Sequence, residues 1–142
     1  VTRVVVDASV AVKWLIPEEF SAHARMLLST DYQLLAPDLL SAELGNALWK
    51  KHRRRELDSR TATRLLRDFS RIPIELHPAG HWANAALALA LRYGVTVYDA
   101  LYLALAAGNR STLVTADRRL HDTCREGRLG LLVGWIGQMP EA

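Results

Sequence analysis

Four carboxylates recur along the chain in settings that a fold can bring together. Asp7 follows Val4-Val5-Val6, Glu43 lies inside a helical pattern, Asp99 sits in Val97-Tyr98-Asp99-Ala100, and Asp117 follows Leu113-Val114-Thr115-Ala116. Asp7 and Asp117 each close a short β-branched run, where open parallel sheets place their ligand crevices. Carboxylate oxygen is the donor that magnesium and manganese prefer, so acids of this kind converging on one cavity point to a divalent-metal site. Convergence is costly without the ion. Carboxylates ~4 Å apart repel by roughly 4 kcal/mol at an effective dielectric near 20, a burden that a dication removes.

The elements that must carry these acids follow from hydrophobic periodicity. Val4-Val5-Val6 reads as a strand, and Ser9 is placed to cap a helix through Val10, Val12, Trp14 and Leu15 that stops at Pro17. Apolar spacing at Phe20, Ala24, Leu27 and Leu28 predicts a helix within 18–29, and Leu34-Leu35-Ala36 a second strand. A helix over 39–52 carries the stripe Leu40, Leu44, Ala47 and Leu48 and ends in basic residues, favourable to its dipole. Ser59 is placed to cap a helix to Ser70, and Ile72-Pro73-Ile74 reads as a third strand. Helices over 82–93 and 98–107 follow, stopped at Gly94 and at Gly108-Asn109. Leu113-Val114-Thr115 then predicts strand four, 118–126 a last helix, and Leu131-Leu132-Val133 strand five. Strands alternating with helices predict an α/β fold with a parallel sheet between two helical layers.

Composition narrows the class. The 142 residues, 50% apolar and 23% charged, suit one soluble globular domain over 1–142 with a core of about 4–133. No run of eighteen apolar residues is present, and the amino terminus lacks a secretory pattern, so the expected location is cytoplasmic. The single Cys124 excludes an internal disulfide and a thiolate zinc site. Net charge is only +3, but Lys50-Lys51-His52-Arg53-Arg54-Arg55 and then Arg60, Arg64, Arg67 and Arg71 concentrate it, which suits a polyanionic partner.

The motifs resemble the PIN domain, and within it the small VapC-type toxins. Val5-Val6-Asp7-Ala8-Ser9 is similar to the family's opening strand and first acid, and Glu43-Leu44-Gly45-Asn46-Ala47-Leu48 to its helical Glu with a following Asn. Tyr98-Asp99-Ala100-Leu101-Tyr102-Leu103-Ala104-Leu105-Ala106 resembles its most recognisable helix, and Thr115-Ala116-Asp117 completes the set in the family's order. The resemblance implies a PIN-like three-layer α/β/α sandwich with a central, mostly parallel five-stranded sheet. It implies that Asp7, Glu43, Asp99 and Asp117 are both catalytic and ligands to one or two Mg²⁺ ions, with Mn²⁺ as substitute, and that Ser9 and Thr115 orient carboxylate or water. It further implies an endoribonuclease that is the toxin of a toxin–antitoxin pair, blocked by a cognate antitoxin protein. A homodimer, or a hetero-oligomer with the antitoxin, is expected.

Each acid also has a plainer reading. Asp7 and Asp117 suit helix caps, Glu43 a solvated helix position, and Asp99 a first-turn dipole partner. Asn46, on nearly the face of Glu43, suits either a substrate contact or an ordinary polar position. Arg60, Arg64, Arg67 and Arg71 align in one stripe if the helix runs that far, facing RNA, a protein partner or solvent. Trp14, Trp49 and Trp82 read as core or interface, and the scattered histidines form no metal set. Two rivals remain: a non-catalytic PIN-like module that binds RNA or protein, and an aspartyl-phosphate phosphatase, which lacks the acid expected where Ser9 stands.

Overall fold

A computed structural model of the chain describes residues 1–139. Five short strands, β1 (Thr2–Val6), β2 (Tyr32–Pro37), β3 (Glu75–His77), β4 (Thr112–Thr115) and β5 (Val133–Trp135), form one sheet in the order β3-β2-β1-β4-β5. Every neighbouring pair runs parallel, so the expected mostly parallel sheet is wholly parallel. Seven α-helices are described: α1 (Ala8–Leu15), α2 (Ser21–Met26), α3 (Leu39–Arg53), α4 (Ser59–Phe69), α5 (Ala83–Tyr93), α6 (Val97–Gly108) and α7 (Arg118–Cys124).

The two-residue period of a strand sends alternate side chains to opposite faces. Val5, Leu35, Leu113 and Val133 pack with Leu40, Leu44 and Leu48 of α3, Leu65 and Phe69 of α4, and Leu103 and Leu105 of α6. Val4, Val6, Leu34 and Val114 pack instead with Val10 of α1, Ala24 and Leu27 of α2, and with Trp135 and Ile136, where the chain leaves β5. The result is the expected three layers. Burying a leucine completely stabilises by ~1.5–3 kcal/mol, so Leu40 and Leu44, both fully buried, fix the rotation of α3 and with it the direction of Glu43. Trp135 and Ile136 extend the packed core past residue 133.

Topology selects the site. From β1 the chain winds outward to β2 and β3, then crosses back to β4 on the other side of β1 and continues to β5. The winding direction therefore reverses between β1 and β4. Sheets of this kind open a crevice beyond the carboxyl ends of the strands at that point, where Asp7 and Asp117 follow β1 and β4.

Several predicted boundaries move. Asp7, not Ser9, caps α1 by accepting from the Val10 N–H, and Asp58, not Ser59, caps α4 by accepting from Thr61 at 2.7 Å. In place of the helix predicted within 18–29, only Ser21–Met26 is α-helical, since the Ser21 hydroxyl accepts from the Glu18 N–H and folds the preceding residues into a turn. The third strand is Glu75–His77 rather than 72–74; Pro73 has no N–H to donate, and β2 pairs with the residues just beyond it. The fifth begins at Val133, because Arg128–Leu131 forms a 3-10 turn and β4 pairs with Val133, Gly134 and Trp135. The last helix stops at Cys124 rather than 126. Trp49 lies outside the core, 51% exposed, with the Arg53 guanidinium 5.2 Å above its ring.

Among the described residues no single helix is long and apolar enough to cross a membrane. The segments 79–93 and 97–108 reach that length only as a pair bent by 113°, and α6 is buried from Ala100 to Ala106.

Candidate active site

Asp7 is the most elaborately held of the four acids. It is 8% exposed at the end of β1. Its Oδ1 accepts from the Ser9 hydroxyl at 2.5 Å and the Val10 N–H at 3.3 Å, and its Oδ2 accepts from the Thr115 hydroxyl at 2.5 Å. The direction of these bonds is enforced from behind. Ser9 Oγ accepts the Ala116 N–H at 2.9 Å and Thr115 Oγ1 accepts the Asp117 N–H at 3.0 Å, so each hydroxyl turns its proton toward Asp7. A carboxylate offers about four lone pairs, and three are used here, which leaves one for a cation.

The other acids arrive from three further elements. Asp117 caps α7 through Oδ1, which accepts from the Leu120 N–H at 3.1 Å. Asp99 lies in the first turn of α6, where the Thr96 hydroxyl caps the helix by accepting the Asp99 N–H at 3.1 Å. Glu43, half-buried on α3, accepts from the buried Tyr102 hydroxyl at 2.5 Å. Asp7 and Asp117 thus each cap a helix, as the plainer reading has it, and both stand at the carboxyl ends of β1 and β4.

The acids feel one another. Burial pushes the Asp7 carboxyl up to about 6 against the pull of its hydrogen bonds, and Asp117 adds to the rise. Burial likewise raises Asp99, with Asp117 adding to it and the Thr96 hydrogen bond and Arg119 opposing. Burial raises Glu43, opposed by Tyr102 and reinforced by Asp99. Burial and the adjacent carboxylates hold Tyr102 above the ordinary phenol range, so it stays protonated and donates to Glu43. Mutual repulsion links the four in a row, Asp7 to Asp117 to Asp99 to Glu43, with Arg119 beside Asp99.

Among the described residues no three acids, histidines or cysteines stand close enough to cage an ion. An open row still suits magnesium, which gives up its water reluctantly and is commonly held by one or two carboxylates. The donor set is all hard oxygen, Asp7 keeps an unused lone pair, and the mutual repulsion is what a dication relieves. The residues fit a divalent ion.

Two cavities flank the row. One of about 170 Å³ is lined by Asp99, Asp117, Arg119 and Thr123. The other, about 430 Å³, is lined by Glu43, Asn46, Lys50 and Tyr98 over small residues including Ala8 and Ala42. Asn46 is exposed on the α3 face that carries Glu43. Arg60, Arg64 and Arg67 line a different cavity, which shares no residue with either of these. Arg71 leaves the predicted stripe, since α4 ends at Phe69 and Arg71 pairs with Asp68 at 3.6 Å. Tyr102 went unrecognised in the sequence because it sits in an apolar run; its position three residues after Asp99, on the same helix face, was the available signal.

The PIN-domain family model matches residues 4–126. The chain belongs to the PIN-domain family. It is 38% identical over 120 residues to ribonuclease VapC3 of Pyrobaculum aerophilum, covering 83% of this chain and 92% of that one. The fold matches the crystal structure of PAE2754 from the same organism with a TM-score of 0.70 at 26% identity, covering 96% and 90% of the two chains. It also matches VapC20 of Mycobacterium tuberculosis, described as a toxin that cleaves the sarcin-ricin loop, with a TM-score of 0.63 at 12% identity and 98% of both chains covered. Within the PIN family this chain falls among the VapC ribonucleases, and metal dependence is general to PIN-domain ribonucleases.

Proposed function

We propose that this chain is the toxin of a toxin–antitoxin pair, an endoribonuclease that hydrolyses RNA phosphodiester bonds with Mg²⁺, or Mn²⁺ in its place, held by Asp7, Glu43, Asp99 and Asp117. The observation that carries this is the row of four carboxylates at the sheet's switch point, matched by neutral hydroxyls and by one another. A surface made only to bind a polyanion gains nothing from such a row, which disfavours the non-catalytic module. When bound, the ion supplies an activated water and neutralises charge on the phosphoryl oxygens. The chain's own part is orientation. Ser9 and Thr115 fix the Asp7 carboxylate, Tyr102 fixes Glu43, and Arg119 beside Asp99 and Asp117 offers a cation to a neighbouring phosphate.

A separate surface suits the antitoxin. Gly45, Leu48, Trp49 and Leu66 line an apolar groove of about 260 Å³ between α3 and α4, which shares Ser59 and Thr63 with the cavity of Arg60, Arg64 and Arg67. Apolar contacts beside a basic row fit an acidic, amphipathic segment of a partner protein better than RNA, which would call for cations leading to the acids. The same reading takes 1–142 as one catalytic domain acting in the cytoplasm. It takes the outer face of α5, where Leu87 and Leu91 are 48% and 79% exposed, as a homodimer contact.

The test incubates pure protein with structured and unstructured RNA in Mg²⁺, Mn²⁺ or chelator, beside Asp7→Asn and Asp99→Asn. Metal-dependent cleavage lost in both variants is expected. Cleavage indifferent to chelator and to both substitutions would contradict the reading.

A further inference from the structure

We infer that the cavity beside Glu43 is a subsite for one unpaired RNA nucleotide next to the scissile phosphate, with Tyr98 stacking on its base. The inference rests on the ribonuclease reading and deepens it. Tyr98 is 62% exposed, although it directly precedes Asp99 at the start of a helix whose following residues are buried. A large aromatic ring left in solvent beside a catalytic acid has no packing role that would explain it. Its ring borders a cavity of about 430 Å³, within the size range of small-ligand sites.

The opposite wall supplies complementary chemistry. Glu43, Asn46 and Lys50 are spaced three and four residues apart, which stacks them along one face of α3 toward the same cavity. Glu43 belongs to the acid row, so a ligand in this cavity lies next to the reacting centre. Asn46 presents both a donor and an acceptor, the pair needed to read a base edge, and Lys50 offers a cation to a phosphate. Ala8, Ala42 and Ala47 keep the floor low, which leaves room for a flat ring. An acidic protein segment would meet Glu43 as a like charge, whereas a nucleotide brings a neutral base to the aromatic ring and its phosphate to Lys50. A base stacked on Tyr98 must be out of a duplex, so single-stranded segments or loops are the substrates this geometry selects. With Arg119 across the acid row, the strand is gripped on both sides of the cut.

The experiment measures KM and kcat on a short single-stranded RNA cut by the wild type, and sequences the cut ends from a random RNA pool. It does so for wild type, Tyr98→Ala, Tyr98→Phe and Asn46→Ala, with thermal melts to confirm folding. Wild type is expected to show a base bias at one position flanking the cut. Tyr98→Ala should raise KM by about 5- to 150-fold, the span of losing one base stack, with a smaller change in kcat. Tyr98→Phe should restore it, and Asn46→Ala should flatten the bias with less effect on KM. Wild-type KM and bias in a folded Tyr98→Ala variant would overturn the subsite. Unchanged RNA kinetics with weakened antitoxin binding would also overturn it, assigning Tyr98 to the protein interface. A wild-type protein that shows no metal-dependent cleavage of any RNA overturns the ribonuclease reading itself and the subsite with it.

Discussion

The protein holds its acids in two different ways. At the turn after α1, Glu18 sits between Lys13 at 3.0 Å and Lys51 at 3.4 Å, and Lys51 reaches on to Glu56 at 3.7 Å. Every carboxylate in that cluster has a cation. At the carboxyl ends of β1 and β4, Asp7 is met by two hydroxyls and a backbone N–H, and the acids beyond it face one another. The first arrangement ties α1 to α3 and is complete. The second sets like charges beside one another, with Arg119 near Asp99, an arrangement that a dication relieves.

The sharpest way to break this contrast is to neutralise one acid of each cluster. Asp99→Asn should lower RNA cleavage about a thousandfold, corresponding to ~4 kcal/mol of transition-state stabilisation, in a single-turnover assay with Mg²⁺. Glu18→Gln should leave the rate near wild type.

Stability should respond in the opposite sense. The Asp7 carboxyl is raised to about 6 in the folded protein, above its ordinary value, so its ionisation disfavours folding. Its contribution is fully present at acid pH and lost as pH rises through about 6. In chelator at pH 7 the ionised group costs on the order of 3 kcal/mol; Asp7→Asn removes that charge but turns an amide N–H toward the Ser9 or Thr115 hydroxyl, so it should melt higher than wild type by only part of that amount. The gap should close at pH 4, and added Mg²⁺ should narrow it at pH 7 by stabilising wild type alone. Glu18→Gln should instead lower stability by about 1–2 kcal/mol in urea denaturation, because Lys13, 9% exposed, loses its partner.

The smallest effect belongs to charges outside both clusters. Arg71→Ala removes an exposed pair with Asp68 and should change stability by less than ~0.5 kcal/mol and antitoxin affinity not at all. Arg64→Ala with Arg67→Ala should weaken antitoxin binding in calorimetry while leaving RNA KM unchanged.

How much of this could be read from the chain depended on the range of the forces involved. Asp7 and Asp117 were legible because a β-branched run followed by an acid is a local pattern, and the site lies at strand ends for topological reasons. The helices over 39–53 and 97–108 were legible from their periodicity. Strands three and five were displaced because three-residue strands are defined by their neighbours, β2 and β4, rather than by their own residues. The stripe ending at Arg71 failed because the helix stops at Phe69. The relay depends on the Ala116 amide meeting Ser9, 107 residues away, and on Thr115 meeting Asp7, 108 residues away, so nothing local announces its direction. Tyr102 looked like one more apolar position, and only the approach of α3 to α6 gave its hydroxyl a partner.

The most direct measurement is calorimetric titration of Mn²⁺ into wild type, Asp7→Asn and Asp99→Asn, near pH 6 in two buffers of different ionisation enthalpy. Saturable binding by the wild type with net proton release, lost or at least tenfold weaker in both variants, is the expected result. Identical titrations for all three proteins, or binding without proton release, would contradict a metal site built on these acids.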